Sequence, residues 1–269
     1  MAGRKNAKRS GEAEEAQGLP GLEPPPDVSP PNVSPPDAAV EEAHHKGHRQ
    51  RLYSRFLDGG PDALQDYELL EMILFAVNPR RDVKPLAKAL IRDFGDLWSV
   101  VNAPPPRLRG YCVGEVSLAS DKAVATLRVV GAAALRGMRQ RVMDRPVLAN
   151  WQSLLDYCTA AMAHQPMEQF RLLFLDRKNK LIADEVQQTG TVDHTPVYPR
   201  EVVRRALELS ASAIILVHNH PSGDPTPSRA DVEMTKEILR AAHSLGIAVH
   251  DHLIVGKGKL VSFKAQGLL

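Results

Sequence analysis

The chain has 269 residues, 43% of them apolar and 25% charged, with a formal net charge of +2 and two cysteines. That length allows one large or two modest globular domains. No apolar run approaches the ~20 residues of a membrane span, and the opening residues lack the apolar stretch of a secretory signal. Cys112 and Cys158 are too few and too far apart for a disulfide framework or a cysteine-built zinc site, so the expectation is a cytoplasmic protein with no membrane partner.

Residues 1–43 contain "GLPGLEPPPDVSPPNVSPPDAAVEEA", rich in proline and poor in aliphatic and aromatic residues. Such a segment cannot bury enough surface to offset the entropy of ordering, and a disordered tail is expected. Its "SPPNVSPP" run fits a plain linker better than a polyproline ligand.

Residues 44–145 are predicted to be a small all-helical domain. "DYELLEMILFAV" repeats apolar residues at helical spacing, while "RDVKPLAKALIRDFG" offers Asp82 as an N-cap and Gly95 as the residue closing its helix. "RLRGYCVGEVSLASDKAVATLRVVGAAALRGM" reads as a short turn followed by a helix. This segment carries 17 Lys and Arg against 11 Asp and Glu, an excess of +6. It is the natural place for an acidic partner such as nucleic acid, although solvated helix faces often carry a similar excess.

The texture changes after "RPVLANW", where the connection between domains is expected. Residues 146–269 alternate strands and helices. "WQSLLDYCTAAMAH" is an amphipathic helix, "EQFRLLFLDRKNKLIADEVQQTG" a strand hairpin turning at "RKNK", and "PREVVRRALELS" a helix with Pro199 in its first turn. The buried strand "AIILV", a turn-rich loop, the helix "ADVEMTKEILRAAHSLG" and strands at "AVHDHLIVG" and "LVSF" complete an α/β domain with helices on a mixed sheet.

The most unusual stretch is "ILVHNHPSGDPTPSRADVEMT". His218 and His220 lie at i and i+2 on a strand and share one face, while Asn219 faces away. Two imidazoles side by side make half of a zinc shell, and "PSGDPTPS" has the turn residues to bring Asp231 back as a third ligand. A non-metallic reading stands beside it: a strand end followed by a helix with a capping box, Ser228 as N-cap and Asp231 three residues on. No HExxH helix or PCxxC competes for the metal.

The run from His218 to Asp231, with its His-x-His-Pro and Ser228, resembles the signature of the JAMM (MPN+) metalloproteases. The flanking "VYPREVVRRALELSASAIILVHNHPSGDPTPSRADVEMT" and "DHLIVG" resemble the bacterial RadC family of JAB-domain proteins. The resemblance covers nearly all of residues 146–269 and implies an α/β fold with a JAMM/MPN-type mixed sheet and flanking helices. It also implies bound Zn2+, hydrolysis of a peptide or isopeptide bond in a protein or peptide substrate, and Ser228 as a stabiliser of the oxyanion. Zinc acidifies water to a pKa near ~7, and a family glutamate at the start of a core strand acts as general base. Glu168 in "PMEQFRLLFLD" is the preferred match and Glu185 in "IADEV" its rival.

The same resemblance assigns residues 44–145 a helix-hairpin-helix-like segment whose glycines let backbone amides approach phosphate. In "LRGYCVGEVSLAS" Gly114 remains, but Cys112 takes the place of the first glycine, where its side chain is expected to crowd the turn, and Leu118 that of a small residue. Nucleic-acid contact through this domain is therefore expected to be weak. A DNA-repair-associated accessory with a structural or vestigial metal site is the alternative function. In "HDH", the family resemblance covers Asp251 and His252 but not His250. His250 and His252 are read as satisfied polar groups at a strand, or as support for the first site.

Overall fold

In the computed structural model, which describes residues 38–190 and 197–269, the first half of the chain is helical, as its apolar spacing requires. Helices α1 (Ala38–Gly59), α2 (Asp66–Phe75), α3 (Lys84–Phe94), α4 (Leu97–Asn102) and α5 (Pro105–Arg109) precede the long α6 (Asp121–Met143). Leu70, Leu74, Leu86, Leu90, Leu108 and Leu127 lose all contact with solvent and form its core. Each buried leucine contributes roughly 1.5–3 kcal/mol. Asp82 Oδ1 accepts from Lys84 N–H at 2.9 Å, and Gly95 closes α3 at φ 101°, where a side chain would be strained.

Three expectations need correction here. Residues 1–37 of the expected disordered tail lie outside the described residues, but Ala38–Ala43 are helical, because "AAVEEA" consists largely of strong helix formers. The segment read as all-helical also holds a two-stranded antiparallel ribbon, β1 (Cys112–Val113) and β2 (Val116–Ser117). Strands of two residues are too short to display alternation. Gly114 takes the left-handed turn position at φ 55°, while Cys112 sits exposed in β1. The cysteine therefore does not crowd the turn. Leu118 is fully buried in the helical core.

Two helices bring the chain to its sheet. The first half of α6 buries Ala123, Val124 and Leu127 in the helical core, and its second half packs Leu135, Met138 and Val142 against the sheet beside α7 (Trp151–Met162). The connection expected at "RPVLANW" thus follows a helix that serves both cores, and residues 42–269 form one compact unit.

The sheet has the order β4-β3-β5-β6-β7, from β3 (Gln169–Leu175), β4 (Leu181–Thr189), β5 (Ala213–Asn219), β6 (Ala248–Val255) and β7 (Leu260–Ser262). Only β5 and β6 are parallel. The "RKNK" hairpin turns as expected, with Asp176 Oδ1 accepting from Lys178 N–H and Lys180 N–H and Asn179 at φ 57°. Every residue of β5 is buried, which explains its near-continuous apolar run at the centre of a sheet covered on both faces. Leu173, Leu175, Ile215, Val217, Leu253 and Val255 face α6 and α7. Phe170, Leu172, Phe174, Ile214 and Leu216 face α8 (Pro199–Glu208) and α9 (Arg229–His243). β5 and β6 are joined through α9 as a parallel crossover, so the loop after β5 leads from the carboxyl end of the strand into the first turn of α9.

Candidate metal centre

His218 is the next-to-last residue of β5 and shares the inward face of Ile214 and Leu216. His220 lies just beyond the strand, held by its own N–H on the Val255 carbonyl at 2.9 Å. The loop that follows is pinned to the end of β6. Lys257 N–H donates to the Gly223 carbonyl at 3.1 Å, and a Cβ at Gly256 would stand 2.3 Å from that oxygen, so "IVG" needs its glycine. The pinned loop presents the Asp224 carbonyl to His220 Nδ1 at 2.7 Å. A carbonyl only accepts, so the Nδ1 carries a proton and the lone pair of neutral His220 is on Nε2.

The same loop returns the chain to the strand end. Ser228 caps α9, its Oγ accepting from Asp231 N–H at 3.1 Å while Asp231 Oδ2 accepts from Ser228 N–H at 2.8 Å. The capping box and the ligand position are thus compatible. The cap fixes a carboxylate with Oδ1 at 3.4 Å from His218 Nε2 and Oδ2 at 3.6 Å from His220 Nε2, and the two Nε2 atoms are 3.0 Å apart. Burial pushes the Asp231 carboxyl up, but the hydrogen bonds and charges of His218 and His220 outweigh it and hold the group well below the usual carboxylate range. Hydrogen bonding to Asp231 in turn raises His220, against burial.

These three residues can hold a metal ion, since one donor atom from each lies within 4.8 Å of the others. Zinc with nitrogen and oxygen ligands at ~2.0–2.1 Å needs tetrahedral edges of roughly 3.3–3.4 Å; the Nε2–Nε2 separation of 3.0 Å and the contacts of 3.4 Å to Oδ1 and 3.6 Å to Oδ2 lie within a few tenths of an ångström of it, with a different carboxylate oxygen facing each histidine. Two nitrogens, one carboxylate and one position left over is the donor set of a catalytic rather than a closed structural site.

Glu168 immediately precedes β3 and is half-buried. Phe170 pairs with His218, so continuing that antiparallel register sets Glu168 opposite His220, and the glutamate's charge contributes to raising the His220 pKa. Asn219, turned away from the histidines, bridges the neighbours of this glutamate. Its Oδ1 accepts from Gln169 N–H at 2.9 Å and its Nδ2 donates to the Met167 carbonyl at 3.2 Å. Glu185 is placed differently: on β4 it is engaged by Arg205 of α8, Nε to Oε2 at 2.8 Å, and that hydrogen bond lowers its pKa.

The HDH pair separates. A bulge in β6 shifts the register so that Ile214 pairs with Val249 and Ile215 with Asp251. His250, left without a register partner, meets Asn179 Oδ1 at 2.6 Å, while His252 lies fully buried with Nε2 2.8 Å from His218 Nδ1. Sequence reasoning missed Asn219 and Thr235, which stands behind His252 at 2.6 Å. Local sequence signalled only that Asn219 points off the histidine face. Thr235 carries no local signal, because its partner lies seventeen residues away on another element.

Pro221, next to His220, also lines a cavity of about 620 Å3 whose walls include Asp96, Arg107, His164 and Lys257. Among the described residues no helix is long and apolar enough to cross a membrane.

Comparison with known proteins agrees with the fold. The family model described as RadC-like JAB domain matches residues 148–268. A protein from Rhodobacter capsulatus named "UPF0758 protein" is 62% identical over 218 residues, which cover 81% of this chain and 100% of that relative.

Proposed function

The chain belongs to the RadC family, and on that premise we propose that it is a zinc-dependent hydrolase of peptide or isopeptide bonds. The observation that carries this reading is the convergence of His218 Nε2, His220 Nε2 and the Asp231 carboxylate on one point at a strand end. When bound there, zinc supplies Lewis acidity, bringing the pKa of water down to ~7 and polarising a carbonyl. The protein's own groups do the rest. Glu168, across from His220, accepts a proton from the attacking water and returns it to the departing nitrogen as the C–N bond breaks, leaving a carboxylate and an amine. The Ser228 hydroxyl, whose oxygen already accepts from Asp231 N–H, keeps its own proton to donate to the oxyanion formed at the carbonyl. The cavity beside Pro221 is large enough for several side chains of an extended substrate.

Nucleic-acid contact through residues 44–145 is weak in this reading. Four of its 17 basic side chains are already held by acids of the same segment, in the pairs Arg55–Glu68, Arg81–Glu115, Arg92–Asp93 and Arg109–Asp121, which leaves the excess at +6 but takes these arginines away from phosphate. The test is metal analysis of purified protein beside His218→Ala, followed by hydrolysis of a peptide library by both. The expected result is about one zinc per chain and cleavage in the wild type, with neither in the variant. Wild-type protein without zinc, or cleavage that persists in His218→Ala, overturns the reading.

A further inference from the structure

We propose that His252 and Thr235 are positioning residues that fix the tautomer of His218, so that its Nε2 lone pair faces the metal point. This rests on the metal reading above. The order of donors and acceptors follows from the one group in the chain that has no choice. Thr235 Oγ1 lies 2.5 Å from the Asp231 carbonyl oxygen, which cannot donate, so the hydroxyl proton lies between them. Thr235 Oγ1 is then an acceptor toward His252 Nδ1, 2.6 Å away, and that nitrogen carries the ring proton. His252 is fully buried, with Thr235 and His218 as its ring partners and no carboxylate among them, so the site accommodates a neutral ring whose Nε2 has a lone pair. At 2.8 Å it accepts from His218 Nδ1–H, which leaves the lone pair of neutral His218 on Nε2.

Ring packing keeps the relay from turning over. His252 is held between Phe263, with centroids 4.5 Å apart, and the edge of Phe170 at 5.9 Å, and Phe170 also stacks on His218 at 6.2 Å. The relay starts on the backbone of Asp231, the residue whose side chain is the third ligand. One helical turn of α9 thus supplies a donor atom and also sets the tautomer of the histidine facing it. Hydrogen-bond partners of this kind, behind a ligating imidazole, typically change metal affinity by ~10–100-fold when removed.

The experiment measures zinc dissociation constants by chelator competition for wild type, His218→Ala, His252→Phe, His252→Gln, Thr235→Val and Thr235→Ser. Circular dichroism and melting of each metal-free protein establish which variants fold. His252→Phe keeps the bulk but removes the acceptor, and Thr235→Val keeps the shape but removes the hydroxyl. Both should bind zinc about 10–100-fold more weakly. His252→Gln, which presents an acceptor near the position of Nε2, and Thr235→Ser should recover most of that loss. Long-range 1H–15N spectra of metal-free wild type should show His252 and His218 both protonated on Nδ1. Affinities within about threefold of wild type for the folded His252→Phe or Thr235→Val overturn the proposal, as do equal losses in Thr235→Ser and Thr235→Val. If His252→Phe does not fold, the threonine pair and the tautomer spectra decide alone. Wild-type protein that binds zinc no better than His218→Ala overturns the metal reading itself, an outcome distinct from failure of the relay.

Discussion

Replacing Asn219 with leucine removes two hydrogen bonds without changing the bulk of the side chain. Asn219 is 1% exposed, and its amide satisfies Gln169 N–H at 2.9 Å and the Met167 carbonyl at 3.2 Å. Met167 is exposed, so water can rehydrate its carbonyl and the loss there is small. Gln169 N–H lies beneath and loses its partner, at about 1–3 kcal/mol for an orphaned buried donor. Adding the net worth of the second bond, at about 1 kcal/mol, gives an expected destabilisation of ~2–4 kcal/mol. For a unit of this size each kilocalorie lowers the melting midpoint by about 2–4 °C. Asn219→Leu should therefore melt at least ~4 °C below wild type when metal-free. Because the same two bonds bracket Glu168, turnover should fall more than about tenfold, within the range general-base catalysis supplies, while zinc affinity stays close to wild type. Differential scanning calorimetry, zinc titration and a hydrolysis assay make the three measurements. A midpoint within 1 °C of wild type, with turnover unchanged, would refute the role given to this amide.

Three further outcomes are expected. Glu168→Gln should keep zinc and the fold but lose ~10²–10⁴-fold in hydrolysis rate; Glu185→Gln, which gives up only an ion pair with Arg205, should stay active and lose at most ~1 kcal/mol by urea unfolding. The reverse pattern would move the general base to Glu185. Asp184→Ala strands Arg171, whose Nη1 it holds at 2.8 Å with the carboxylate 1% exposed, and should cost about 3–5 kcal/mol in chemical denaturation. A loss below 1 kcal/mol would show that water reaches the pair. Titration of the whole chain with duplex DNA at physiological salt should give no more than the ~10⁻⁴ to 10⁻⁶ M of non-specific binding, and much tighter affinity would reverse the reading of the basic helical segment.

What the sequence made legible is what local periodicity encodes. The apolar run of β5, the pair His218 and His220 on one face, the turn residues after them and the cap at Ser228 all lie within one short stretch, and each fold element there followed from spacing alone. The family resemblance supplied the expectation of a glutamate, but its placement depends on the β3–β5 register, which pairs residues some fifty positions apart. The Asn219 bridge and the Thr235–His252 relay are invisible for the same reason: their partners meet only across strands and helices. The HDH pair misleads in the opposite direction. Strict alternation puts His250 and His252 on one face, and a single extra residue in β6 sends His250 to Asn179 instead. The ribbon at Cys112–Ser117 escaped notice because two-residue strands have no period to read.

Helix α6 dictates where this protein can be cut. A fragment beginning at residue 146 starts at a connection, yet it leaves behind Leu135, Met138 and Val142, the side chains that roof the α7 side of the sheet. Such a fragment would expose a sticky apolar face and aggregate, and a fragment ending before Asp121 would strip the helical core of Ala123, Val124 and Leu127 in the same way. Neither half owns the helix outright, so fragments for crystallisation or domain exchange should duplicate α6 rather than divide the chain on either side of it.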